Sequence, residues 1–130
     1  MEYKIGQTAE FSKTITEADV YAFAGIVGDF NPVHVNSVEA AKSIFGERVA
    51  HGALIAGLIS NVLGNKLPGA GTIYLNQNSY FRKPVKINDT VTVRVTLDRI
   101  ESGHAFLSTN IFNQKRECVL EGTAEVKLPV

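Results

Sequence analysis

The sequence predicts an α+β fold in which a strongly curved antiparallel β-sheet wraps around one long central helix. Two observations predict it. Residues 52–63 read Gly-Ala-Leu-Ile-Ala-Gly-Leu-Ile-Ser-Asn-Val-Leu, with only Ser60 and Asn61 strongly polar. A helix apolar on nearly every side must be surrounded by protein. Almost everything after Pro68 reads as strand, with the cleanest two-residue alternation at 90–100. Long antiparallel strands need an apolar element against their inner face, so each part supplies what the other lacks. One curved sheet still leaves edges and part of the helix uncovered. A dimer that extends the sheet is the expected completion.

The elements follow in order. After a short lead over 1–6, residues 8–15 alternate weakly and suit an edge strand. Thr16 is placed as a helix N-cap, with Glu17 and Asp19 in the first turn, where negative charge suits the helix dipole. Val20, Phe23, Ala24 and Val27 recur at helical spacing, and Gly28 is placed to end the helix. Asn36 and Glu39 form a capping pair for a short helix expected to run through Ala40, Ala41, Ile44 and Phe45. The apolar helix spans 52–63, roughly 18–20 Å. Gly57 is expected to let the sheet approach closely. A strand follows over 72–82, bent near Asn76-Gln77-Asn78. Strands over 90–100, 104–113 and 118–127 complete the sheet, the first two joined by the hairpin Glu101-Ser102-Gly103.

Composition narrows the function. A chain of 130 residues is expected to form one domain, spanning 1–130. Lys plus Arg and Asp plus Glu number 13 each, which leaves no electrostatic footprint for nucleic acid or an anionic membrane. Cys118 stands alone, so neither an internal disulfide nor a cysteine zinc cluster is available. No signal segment opens the chain, and the longest apolar run is too short to span a bilayer. A cytoplasmic protein is the expectation.

The stretch Gly28-Asp29-Phe30-Asn31-Pro32-Val33-His34 carries the strongest chemical signal. Pro32 fixes its own φ and drives Asn31 from the helical region, so the segment is expected to be a stiff turn. Such a turn can bring a carboxylate and an imidazole to one spot and hold a water between them. On these residues alone two readings stand, since Asp and Asn before Pro are also ordinary turn formers. No two histidines stand at metal-ligand spacing, so no metal is expected. His51 is expected to shape its loop, and His104 to be exposed.

At this level of detail the chain resembles the R-specific enoyl-CoA hydratases of the MaoC-like dehydratase group, which have the hot dog fold. The resemblance rests on Asp29-Phe30-Asn31-Pro32-Val33-His34, on His51-Gly52-Ala53-Leu54 some seventeen residues later, and on Tyr80-Phe81-Arg82-Lys83-Pro84-Val85 with Asn88-Asp89-Thr90. Arg82-Lys83-Pro84 departs from the commoner Arg-Pro pair.

The resemblance implies reversible hydration of a trans-2-enoyl-CoA to the (R)-3-hydroxyacyl-CoA, with Asp29 and His34 sharing the catalytic water. The Gly52 backbone N–H would stabilise enolate charge at the helix start, where the dipole has the right sign. The resemblance further implies that Ser60 supports the catalytic carboxylate. A bond from Ser60 to the carbonyl four residues earlier is the alternative. Asn31 is expected to brace the turn. Arg82 and Lys83 could meet the phosphates of coenzyme A or be simply solvated. No cofactor is expected, coenzyme A being part of the substrate. The expected partners are the acyl-CoA thioester and a second copy of the chain, not nucleic acid or membrane. An acyl-carrier-protein dehydratase, a hot dog thioesterase and a non-catalytic thioester-binding domain are the alternatives. Acyl-chain length is not legible.

Overall fold

The computed structural model describes residues 2–130; Met1, the first residue of the expected lead, lies outside them. The order is β1 (Thr8–Thr14), α1 (Glu17–Val27), α2 (Pro32–Val35), α3 (Ser37–Ala41), α4 (Gly52–Asn65), β2 (Ile73–Phe81), β3 (Thr90–Glu101), β4 (His104–Phe112) and β5 (Cys118–Lys127). The five strands form one antiparallel sheet in the order β1-β3-β4-β5-β2. β1 and β2 are therefore the edges.

β3 and β4 show why the sheet forms. Val91, Val93, Val95 and Leu97 alternate onto the inner face and are buried, as are Ala105, Leu107 and Ile111 on β4. Each valine, leucine or isoleucine among them contributes about 1.5–3 kcal/mol by leaving water. The β3–β4 connection needs positive φ at both turn residues, and Ser102 (52°) and Gly103 (79°) supply it. The bend expected near Asn76 is a register shift between Tyr74 and Asn76.

α4 lies against the inner face through Ile55, Ile59, Val62 and Leu63. It runs two residues past the expected end. Ala53, Gly57 and Ser60 face outward and are exposed, so the single chain leaves part of the helix uncovered, as expected of one curved sheet. Gly57 is not a point of sheet contact, because a Cβ there would meet nothing within 4 Å.

α1 is closed by a capping box. Asp19 N–H donates to Thr16 Oγ1 at 3.1 Å, and Thr16 N–H donates to Asp19 Oδ2 at 2.9 Å. Gly28 ends the helix at φ 81°. α3 is shorter than expected. Asn36 Oδ1 accepts from Val38 and Glu39 N–H, but the helix stops at Ala41 and leaves Ile44 96% exposed. Glu39 pairs with Lys42 at 3.3 Å.

The Asp19 carboxyl is held below the ordinary carboxylate range, first by the Thr16 backbone N–H, with burial opposing and Lys13 at 3.1 Å assisting. Its folded value is thus depressed. Its stabilisation is complete above pH about 4 and is lost as pH falls through that lower value. Urea unfolding should show wild type ahead of Asp19→Asn by about 0.5–1 kcal/mol at pH 7. That gap should close as pH falls through the depressed folded value of the Asp19 carboxyl.

Candidate active site

Residues 28–34 divide into a loop and a one-turn helix. The expected stiff turn is partly helical, because Pro32 occupies the first helical position, where its missing N–H is harmless. Asn31 is the N-cap, its Oδ1 accepting from Val33 N–H at 3.4 Å. Asp29 Oδ1 accepts from Asn31 N–H at 3.1 Å. Tyr21 of α1 donates its hydroxyl to the Val35 carbonyl at 3.0 Å, and Arg48 reaches Tyr21 Oη at 2.6 Å and Glu17 at 2.7 Å. These bonds seat α2 on α1.

His34 is half-buried. Its Nδ1 lies 2.7 Å from the Val49 carbonyl oxygen. A carbonyl only accepts, so Nδ1 carries the hydrogen and Nε2 presents a lone pair. Val49 is itself fixed, its N–H donating to the Val33 carbonyl at 3.0 Å. Ala50 N–H donates to Val85 at 2.7 Å, anchoring the segment before β3.

One ligand-type atom from each of Asp29, His34 and His51 lies within 4.8 Å of the others. Two hydrogen bonds of about 2.8 Å can span such a gap through one water. By distance the trio could also hold a cation, which the sequence spacing did not suggest. Orientation disfavours joint chelation. The His34 and His51 rings stack with planes 28° apart, so their in-plane lone pairs run side by side and do not converge.

Gly52 opens α4. Neither its N–H nor that of Ala53 has a hydrogen-bond partner among the described residues. A cavity of about 440 Å³ brings His34, Asn31 and Gly52 together with apolar walls from Val33, Phe45, Ile55, Phe81, Val85 and Val119. Asp29 is exposed at the side of this group.

The remaining expected residues are placed as follows. Ser60 is exposed on α4 and makes no side-chain hydrogen bond among the described residues, neither to Asp29 nor back to its own helix. Arg82 and Lys83 line the cavity mouth. Each has an acidic partner. Arg82 reaches Glu121 at 3.5 Å and lies 4.1 Å over the Tyr80 ring, while Lys83 reaches Glu117 at 2.6 Å. Lys83, then Asn113, holds the Glu117 carboxyl below its ordinary range. His104 is half-buried beside Glu125 at 2.6 Å, away from the cavity.

Two contributors had not been singled out. Phe81 entered the sequence reading as part of a motif, yet its ring covers Gly52: a Cβ on Gly52 would lie 2.9 Å from Cε1. Its place at the end of an edge strand, before Arg82, was the available signal. Val49 acts through its carbonyl, which leaves no trace in residue type. Gly52→Ala is expected to cost about 1 kcal/mol through this clash. In a Phe81→Ala background the cost should vanish, and a double-mutant cycle by urea unfolding measures the coupling.

Comparison with known proteins agrees with this architecture. The MaoC-like domain model matches residues 2–112. The chain is 45% identical to an (R)-specific enoyl-CoA hydratase of Rhodospirillum rubrum, over 98% of this chain and 90% of that protein. It is 43% identical to a 3-hydroxybutyryl-CoA dehydratase of Methylorubrum extorquens, over 98% of this chain and 82% of the relative. The solved (R)-hydratase from A. caviae involved in PHA biosynthesis superposes with a TM-score of 0.95 at 41% identity, covering 98% of each chain. That match makes the curved sheet and central helix a hot dog fold. With a domain match over residues 2–112 and relatives of this identity and coverage, the chain belongs to the MaoC-like domain family.

Proposed function

We propose that this chain is a hydro-lyase that adds water across a trans-2-enoyl-CoA to give the (R)-3-hydroxyacyl-CoA, and catalyses the reverse dehydration. One observation carries the reading. The Asp29 carboxylate and a His34 ring nitrogen lie within 4.8 Å of each other, close to a helix-start amide that has no partner among the described residues.

The alkene is activated only through the conjugated thioester carbonyl. The Gly52 N–H receives the charge that develops on the carbonyl oxygen as the enolate forms. Such a donor is worth roughly 3–4 kcal/mol in the transition state. A water between Asp29 and His34 meets two acceptors, the carboxylate and Nε2. One O–H bond breaks as the oxygen bonds C3, and the released proton passes through the pair to C2. Hydroxyl and hydrogen then arrive from one side, so addition is syn. The two groups titrate together, and the proton belongs to the pair. The reaction is redox-neutral and uses no cofactor. The apolar cavity takes the non-reacting parts of the substrate. Arg82 and Lys83 meet coenzyme A phosphates by exchanging exposed carboxylate partners, whose hold solvent screening weakens.

The working unit is a dimer. β2 is a nine-residue edge strand with Ile73, Leu75, Tyr80 and Phe81 about half exposed. Beside it α4 exposes Ala53, Gly57 and Ser60. A second copy pairs β2 with β2 and packs α4 antiparallel against α4, with the small residues allowing close approach. Crossing near Gly57 sets Ser60 of one copy against the start of α4 in the other, within reach of Asp29. The support of Asp29 by Ser60 is then made between copies.

Crotonyl-CoA tests the activity: the conjugated enoyl absorbance should fall without release of free thiol. Free thiol would instead mark a thioesterase, and no change a binding domain or a different chain length. Asp29→Asn and His34→Ala should each lower kcat by about 100-fold or more with the fold retained by circular dichroism. Gly57→Leu should convert the dimer to monomer by sedimentation and abolish turnover with it.

A further inference from the structure

The chemistry above uses His34 and gives His51 no part. His51 is only 2% exposed. Its Nε2 lies 3.0 Å from the Asp29 carbonyl oxygen. Its face stacks on His34 with ring centroids 3.9 Å apart, and Phe23 meets it edge-on at 5.0 Å. The Asp29 carbonyl can only accept, so Nε2 carries the hydrogen. Nδ1 is buried and has no hydrogen-bond partner among the described residues. A hydrogen on Nδ1 would therefore meet no acceptor, which is costly in a buried site. The surroundings hold this ring as the neutral Nε2–H tautomer.

We infer that His51 is a positioning residue that fixes both members of the catalytic pair at once, as a neutral ring. The inference rests on the proposed roles of Asp29 and His34. Its Nε2–H holds the Asp29 carbonyl, and so the backbone from which the carboxylate projects. Its face sets the plane of the His34 ring. Neither residue is fully held otherwise. The Nδ1–H bond to Val49 leaves the His34 ring free to tilt, and the Asp29 side chain is exposed with one link, to Asn31. An imidazole suits the task because one ring offers both an edge donor and an aromatic face. A neutral face also accommodates the cation formed when His34 takes the proton, whereas a second imidazolium would repel it.

Two variants separate edge from face. His51→Gln keeps an N–H donor toward Asp29 and removes the stack, while His51→Phe keeps the stack and removes the donor. Each should lower kcat for crotonyl-CoA by about 10-fold, and His51→Ala by about 100-fold, since small misplacements of reacting groups cost this much. KM should change by less than about 3-fold, because the loss falls on the transition state. Ring ¹⁵N NMR reads the placement without any turnover. His34 should show the Nδ1–H tautomer in both proteins, with the Nδ1–H signal of the Val49 bond sharp in the wild type and broadened by exchange in His51→Gln. Wild-type kcat in both variants with unchanged His34 signals would overturn the inference and leave the proposed function standing. A rise in KM alone would overturn it as well. If the wild type does not hydrate crotonyl-CoA, the function fails and the NMR comparison still decides where His34 is held. Should His51→Ala not fold, the Gln and Phe variants decide by themselves.

Discussion

The peptide at Val49 governs the site. Its N–H is bonded to α2 through Val33, its carbonyl takes the Nδ1–H of His34, and the next amide is bonded to Val85. A backbone carbonyl thereby decides which nitrogen of His34 is basic. The fold, and no neighbouring acid, selects the tautomer. The two residues that follow are His51 and Gly52. One run of four residues thus carries the tautomer-setting carbonyl, the ring stacked on His34 and the unpartnered amide. A shift of that run would disturb the base and the oxyanion donor together, in keeping with its attachment at both ends.

The second constraint is incompleteness. α4 has one face of Ile55, Ile59, Val62 and Leu63, sealed against the sheet, and another of Ala53, Gly57 and Ser60, left open. Small residues gain little from burial, yet they let a second helix approach to about 8 Å. The open face belongs to a helix that packs beside the edge strand β2, so a second copy laid there would cover helix and strand edge together.

The legible parts of the sequence were those set by local periodicity. The alternation at Val91, Val93, Val95 and Leu97 places β3, and the apolar run after Gly52 places α4. Thr16 with Asp19 and Asn36 with Glu39 mark helix starts correctly. What failed depended on distant partners. α3 was expected to include Ile44 and Phe45, but nothing packs on Ile44, and α3 ends three residues before it. Gly57 was assigned to the sheet because helical spacing does not say which side the sheet lies on. Asp29 and His34 could be named from a motif, but the carbonyl that orients His34 belongs to Val49, fifteen residues on, and any residue type could have supplied it. The stack of His51 on His34 is hidden for the same reason: sixteen intervening residues fold back before the rings meet.

The order of the reacting groups is borrowed. α2 is four residues long, and a helix of one turn has no stability of its own in water. It persists because Pro32 and Asn31 start it, Tyr21 holds its end at Val35, and Val49 holds its middle at Val33. Through Ala50 and Val85 those bonds lead toward β3, whose inner side chains are almost wholly buried. Rigidity therefore runs from the sheet outward, along backbone hydrogen bonds, to an imidazole that lies near solvent. Such an arrangement lets a half-buried histidine and an exposed aspartate keep a fixed separation while both remain reachable by substrate and water.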